Sequence, residues 1–89
     1  MEPGDLVASR RGRDNGRLML IAAKGEDGRL LLVDGRMRHI ETPKKKQAKH
    51  VLWVSRPEGH IPEKLRKGEK VTNAELRRTL AELKPPPES

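Results

Sequence analysis

LVASRRGRDNGRLMLIAAKGEDGRLLLVDG, residues 6–35, decides the fold. Leu6–Ser9 follows Gly4-Asp5 and reads as a first short strand. Arg10 to Gly16 is turn chemistry: Gly12, Asn15 and Gly16 tolerate positive φ at little steric cost. Leu18–Ala23 is a run of six apolar residues between turn signals, which suits a strand buried on both faces. Periodicity alone leaves a helix open here, but the run is short for one. Gly25-Glu26-Asp27-Gly28 is a second turn ending in the hairpin dipeptide Asp-Gly. Arg29–Val33 is then a third strand, closed by Asp34-Gly35.

Working outward, Arg36–Glu41 alternates charged and less polar residues and predicts a half-buried fourth strand, with Met37 and Ile40 turned inward by a local twist. Thr42-Pro43 breaks it. After the lysine-rich segment, His50–Val54 predicts a fifth strand. Five short strands separated by tight turns make a mainly β fold, a small SH3-like antiparallel barrel. Trp53 is the sole aromatic side chain, expected to plug the barrel or cover an open end.

Residues 57–70 carry Pro57, Gly59, Pro62 and Gly68 and read as a linker with one helical turn at Pro62–Lys67. VTNAELRRTLAELKPPP, residues 71–87, spells a helix over Asn73–Lys84. Thr72 and Glu75 form a T-x-x-E capping box, Val71 and Leu76 a hydrophobic staple, and Pro85 the stop. Leu76, Leu80 and Leu83 make one apolar stripe. A helix of about three turns is marginal alone, so the stripe must dock on the barrel or on a partner. The expected organisation is a barrel over 1–56, a linker over 57–70, a helix over 71–84 and a tail over 85–89.

Composition limits the rest. The chain has 89 residues, 33% hydrophobic, so it is one small domain with a small core. It has no Cys, which excludes a disulfide framework, a thiolate nucleophile and a cysteine zinc site. The start lacks the apolar region of a signal peptide, and no apolar run approaches bilayer length, so a cytoplasmic protein away from membranes is expected. The net charge is +7 and is unevenly placed. Residues 1–35 balance six basic against six acidic residues, residues 57–89 seven against six, but residues 36–56 carry seven against one. A patch of one sign raises the local concentration of an anionic partner.

The stretch GDLVASRRGRDNGRLMLIA, with RLLLVDG after it, resembles a KOW motif: an apolar strand, a glycine-containing loop, and two more apolar strands. The whole chain is similar to small bacterial KOW-domain proteins regarded as RNA-binding, themselves related in motif to large-subunit ribosomal proteins of archaea and eukaryotes. Their lysine-rich segment after the fourth strand and their final V-T-N-x-E-[IL]-R helix are matched here, the latter by Val71, Thr72, Asn73, Glu75, Leu76 and Arg77. Leu18 and Met19 depart from the β-branched residues usual in the second strand. The resemblance implies an SH3-like barrel that meets ribosomal or other structured RNA through its loops.

The residues themselves point to phosphate contacts. Lys44, Lys45, Lys46 and Lys49 can each meet a phosphate without reading sequence. Arg10, Arg11, Arg13 and Arg17 surround Gly12 and Gly16, where backbone can approach a phosphate closely. Arg36 and Arg38, two apart on one strand face, are expected to extend this surface toward the lysines. The bland readings are a solvated lysine loop and an ordinary hairpin turn. With no Phe or Tyr and Trp53 assigned to the core, stacking of splayed bases is not expected. His39, His50 and His60 lack metal-ligand spacing, and no nucleophile–base pair or Walker loop is present, so neither enzyme activity nor a metal or other cofactor is expected. The sequence thus predicts a monomeric, non-catalytic, ribosome-associated RNA-binding protein of the translation apparatus. The rival is an adaptor of the NusG type, which would bind a ribosomal or transcription protein through the leucine stripe.

Overall fold

The computed structural model describes residues 1–10 and 16–83. Strands β1 (Leu6–Ser9), β2 (Leu18–Lys24), β3 (Leu30–Val33), β4 (Lys44–Lys46) and β5 (Val51–Ser55) form one antiparallel sheet in the order β4-β3-β2-β1-β5. A 3-10 turn at Ala48–His50 joins β4 to β5, and helices α1 (His60–Lys67) and α2 (Asn73–Leu83) follow. This is the small, mainly β, barrel-like fold with a C-terminal helix that the turn spacing predicts.

The apolar runs are buried on both faces, as expected for β2, where Met19, Leu20 and Ile21 are fully buried. Alternation sends them to two cores. Leu6, Leu20 and Val33 pack on one face against Leu65 of α1, Val71, and Leu76 and Leu80 of α2. Val7, Met19, Ile21, Leu30, Leu32 and Val51 fill the other. Among the described residues no helix side chain joins this second cluster, and the sheet covers it by curling. Lys46 Nζ donates to Ser9 Oγ although β4 and β1 are three places apart in the sheet. In a flat sheet that separation is about 14 Å. Register shifts between Leu6 and Val7 against β5, and between Ile21 and Ala23 against β3, mark irregularities of the kind that bend strands.

Three expectations give way. Residues 36–41 are not a strand. Asp34 and Gly35 N–H both donate to Arg38 O, at 2.9 and 3.0 Å, and the Asp34 carboxylate accepts the Arg36 and Arg38 N–H groups, each at 2.9 Å. An acidic side chain bonding the backbone just ahead of it competes with a sheet ladder, and here it wins. Gly35 has φ +78°, and a Cβ there would strike the Asn73 carbonyl and lie 3.0 Å from Leu76 Cβ, so the turn is pressed onto the start of α2. The fourth strand is instead the lysine run, paired Lys44↔Leu32, Lys45↔Leu31 and Lys46↔Leu30. Trp53 is not a plug: it is half-exposed, and the smaller side chains of the inner cluster close the interior without it.

The 57–70 segment carries the eight-residue helix α1. Gly68, at φ +74°, ends it in a Schellman motif, with Gly68 N–H donating to Leu65 O at 3.2 Å and Glu69 N–H to Lys64 O at 2.9 Å. The capping box of α2 forms as read: Glu75 N–H donates to Thr72 Oγ1 at 3.1 Å and Thr72 N–H to Glu75 Oε1 at 2.9 Å. Asn73 then latches the preceding loop, accepting Ile40 N–H at 2.7 Å and donating to Glu41 Oε1 at 2.9 Å. Lys84 and the 85–89 tail lie outside the described residues.

Candidate nucleic-acid interface

Ser9 is where the two predicted basic segments meet. Its N–H donates to Arg17 O at 3.1 Å and its carbonyl accepts Gly16 N–H at 2.7 Å, which closes the base of the arginine loop. Its hydroxyl accepts Lys46 Nζ, and beside it Arg10 N–H donates to His50 O at 3.0 Å. The arginine loop therefore springs from the barrel next to the end of β4 and the 3-10 turn that carries Lys49. Curling of the sheet makes this neighbourhood. Lys46 and Ser9 are 37 residues apart and on non-adjacent strands.

The lysines are set up differently from the other cations. Lys24, Arg29, Arg56, Lys64 and Arg66 each pair with a carboxylate at 3.1–3.7 Å. Among the described residues no carboxylate lies within ion-pair distance of Lys44, Lys45 or Lys49. Lys45 and Lys49 are exposed, and Lys44 and Lys46 half-buried. A short strand paired on one side with β3 fixes the spacing of three cations that a flexible loop would leave to wander.

Arg36 and Arg38 do not share a strand face, contrary to expectation. Asp34, buried at the end of β3, holds their backbone through Oδ1, while its Oδ2 lies 3.5 Å from Arg17 Nη1. Arg77 of α2 adds a fourth arginine, donating from Nη1 to Gly35 O at 2.8 Å. One carboxylate thus gathers Arg17, Arg36 and Arg38. Arg11, Gly12 and Arg13 lie outside the described residues.

A second acidic group with three bonds, as many as Asp34 accepts, was not assigned a structural role from the sequence. Asp5, fully buried before β1, accepts Trp53 Nε1 at 3.1 Å, Arg56 Nε at 3.1 Å and Glu2 N–H at 3.0 Å. Burial pushes its pKa up, but the bonds from Glu2, Arg56 and Trp53 outweigh that and hold it below the ordinary carboxylate value. The only sequence signal is the Gly-Asp pair opening a strand, which reads equally well as a turn.

No family model matches the chain, and no curated protein does. The interface therefore rests on geometry and charge. Among the described residues, His39, His50 and His60 join no group of three or more metal-ligating side chains, and no helix is long and apolar enough to cross a membrane.

Proposed function

We propose that the protein is a non-catalytic, cytoplasmic RNA-binding module of KOW type that contacts the backbone of structured RNA, foremost ribosomal RNA. The observation that carries this reading is the meeting at Ser9 of a strand of three lysines and the base of the arginine loop, with Lys44, Lys45 and Lys49 free of carboxylates among the described residues. Lysines fixed along a strand meet a polyanion as a row of point charges and read shape, not sequence. Arginines, whose backbone or side chain Asp34 holds, supply planar donors suited to phosphate.

The test is fluorescence anisotropy with a labelled rRNA helix across a salt series. Four lysine contacts predict a log–log slope near −3 from about −0.7 per contact, steeper where arginines join. Affinity no greater than that of a neutral small protein at about 50 mM salt sinks the reading. Cosedimentation with a ribosomal subunit, reversed by moderate salt, identifies the rRNA. Of the stripe that the rival adaptor would use, Leu76 and Leu80 are buried against the protein's own sheet and Leu83 is partly buried, which favours the RNA reading.

A further inference from the structure

Trp53 has no task in a surface that works by charge alone. It is 49% exposed, an unusual position for the one large aromatic of a chain with so small a core. Its indole is nevertheless fixed. Nε1 is bonded to Asp5 Oδ2, while Asp5 Oδ1 takes Arg56 Nε, so one buried carboxylate sets both side chains. The ring turns its polar edge to the protein and leaves apolar surface to the outside. Arg56, its side chain 58% exposed, engages Asp5 through Nε and keeps its two terminal nitrogens for another acceptor.

We propose that Trp53 and Arg56 form a seat for one unpaired nucleotide, the indole stacking on its base and the guanidinium meeting its phosphate. The inference rests on the RNA reading above and extends it from backbone contact to recognition of an unstacked base. A base has an apolar face and an adjoining anion about one residue-length away, and the Asp5 bonds hold an aromatic face and a cation side by side in advance. Preorganisation matters because neither side chain has to be ordered when the ligand arrives. Charge favours nucleic acid over an apolar peptide: Arg56 holds a cation beside the ring, and the carboxylate that fixes both side chains is wholly buried.

Trp53 is the sole tryptophan, so the protein's intrinsic emission reports on it alone. The experiment titrates the full chain at about 50 mM salt with two RNAs of equal length, a blunt duplex and a hairpin with an unpaired loop. Anisotropy of labelled RNA measures binding separately. The expected result is quenching by the hairpin and little by the duplex, with Trp53→Leu weakening hairpin binding about 10-fold and leaving the duplex unchanged. Trp53→Phe, which keeps an aromatic face, retains most of the hairpin affinity. If both RNAs bind and emission never changes, or Trp53→Leu weakens both equally, the seat is overturned and the backbone reading stands. If neither RNA binds, both fail. If emission instead tracks protein concentration, with a dimer in sedimentation, Leu52, Trp53 and Val54 face a second copy and the seat is overturned.

Discussion

β4 and β5 end the same sheet on opposite sides, yet one presents Lys44, Lys45 and Lys46 and the other exposes Leu52, Trp53 and Val54. Lysine on an edge strand is a common defence against pairing with another chain. Were defence the whole reason for the lysines, β5 would need them more, because exposed apolar side chains on a terminal strand invite association. β5 has none. The second contrast lies in the anchoring. The β5 ring is tied to a buried carboxylate, whereas Lys44 and Lys45 reach no carboxylate among the described residues. One terminal strand ties its ring to a buried carboxylate; the other ties Lys46 to a neutral hydroxyl and leaves Lys44 and Lys45 without a carboxylate among the described residues.

The sharpest way to break this comparison is to reverse the charge of β4. The triple variant Lys44→Glu, Lys45→Glu, Lys46→Glu should lose RNA affinity about 100-fold and flatten the salt slope by about 2 units, at about 0.7 per lost contact. Its stability should fall by about 1–2 kcal/mol, most of it from the lost Lys46–Ser9 bond, since the exposed charge of Lys45 contributes little to folding. Anisotropy and urea denaturation measure the two arms. A large stability loss with RNA affinity retained would make the lysines a structural device.

On β5 the expected weights are exchanged. Asp5→Ala removes the acceptor of Trp53 Nε1 and of Glu2 N–H, and leaves Arg56 without its partner. Leaving such donors unsatisfied costs about 1–3 kcal/mol. The loss should appear in urea denaturation followed by Trp53 emission, while affinity for paired RNA stays near that of the unaltered protein.

What the sequence made legible follows the same division. β1, β2, β3, β5 and α2 were readable because their signals are local: apolar runs between glycine turns, and a capping box within four residues. The lysine strand was unreadable because three lysines have no apolar period. It is a strand only through the ladder β3 offers it. Residues 36–41 misled because their alternation suits a strand, while the deciding bonds come from Asp34. Trp53 misled because its place depends on Asp5, 48 residues earlier. Of the candidate site, the residue types were visible and the joins were not: Ser9 meets Lys46 only after the sheet has curled, and Asp34 meets Arg17 only once β2 lies beside β3.

Acid should act on the β5 anchor first. The folded pKa of Asp5 lies below its unfolded value, so its contribution is present above the unfolded pKa and is lost as pH falls through the folded one. Unfolding midpoints should be flat from about pH 7 to 5 on this account and fall below about pH 4, the ordinary Asp value. Asp5→Asn should shallow that acid limb. An acid limb identical in the variant would remove Asp5 as the titrating anchor.

The smallest expected effect tests whether the two terminal strands are independent of the helical face behind them. Thr72→Ala deletes one half of the α2 capping box and should lower stability by about 1 kcal/mol. Its partner Glu75 has a lowered pKa, owing first to the Thr72 N–H bond, against burial, with Lys64 3.4 Å away adding to the lowering. The variant keeps that N–H and loses only the weaker hydroxyl bond, so the acid dependence that Glu75 contributes should persist, in the same direction as that of Asp5. A route to the basic surface exists, because Asn73 beside the cap holds Ile40 and Glu41, just before β4. If α2 only backs the sheet, RNA affinity stays within about twofold, since about 1 kcal/mol of stability leaves nearly all molecules folded. A loss of RNA affinity larger than that, in molecules shown to be folded by circular dichroism, would mean that the helix cap sets the position of the lysine strand. The contrast between a β4 whose Lys44 and Lys45 reach no carboxylate among the described residues and a β5 anchored on Asp5 would then give way to one connected unit.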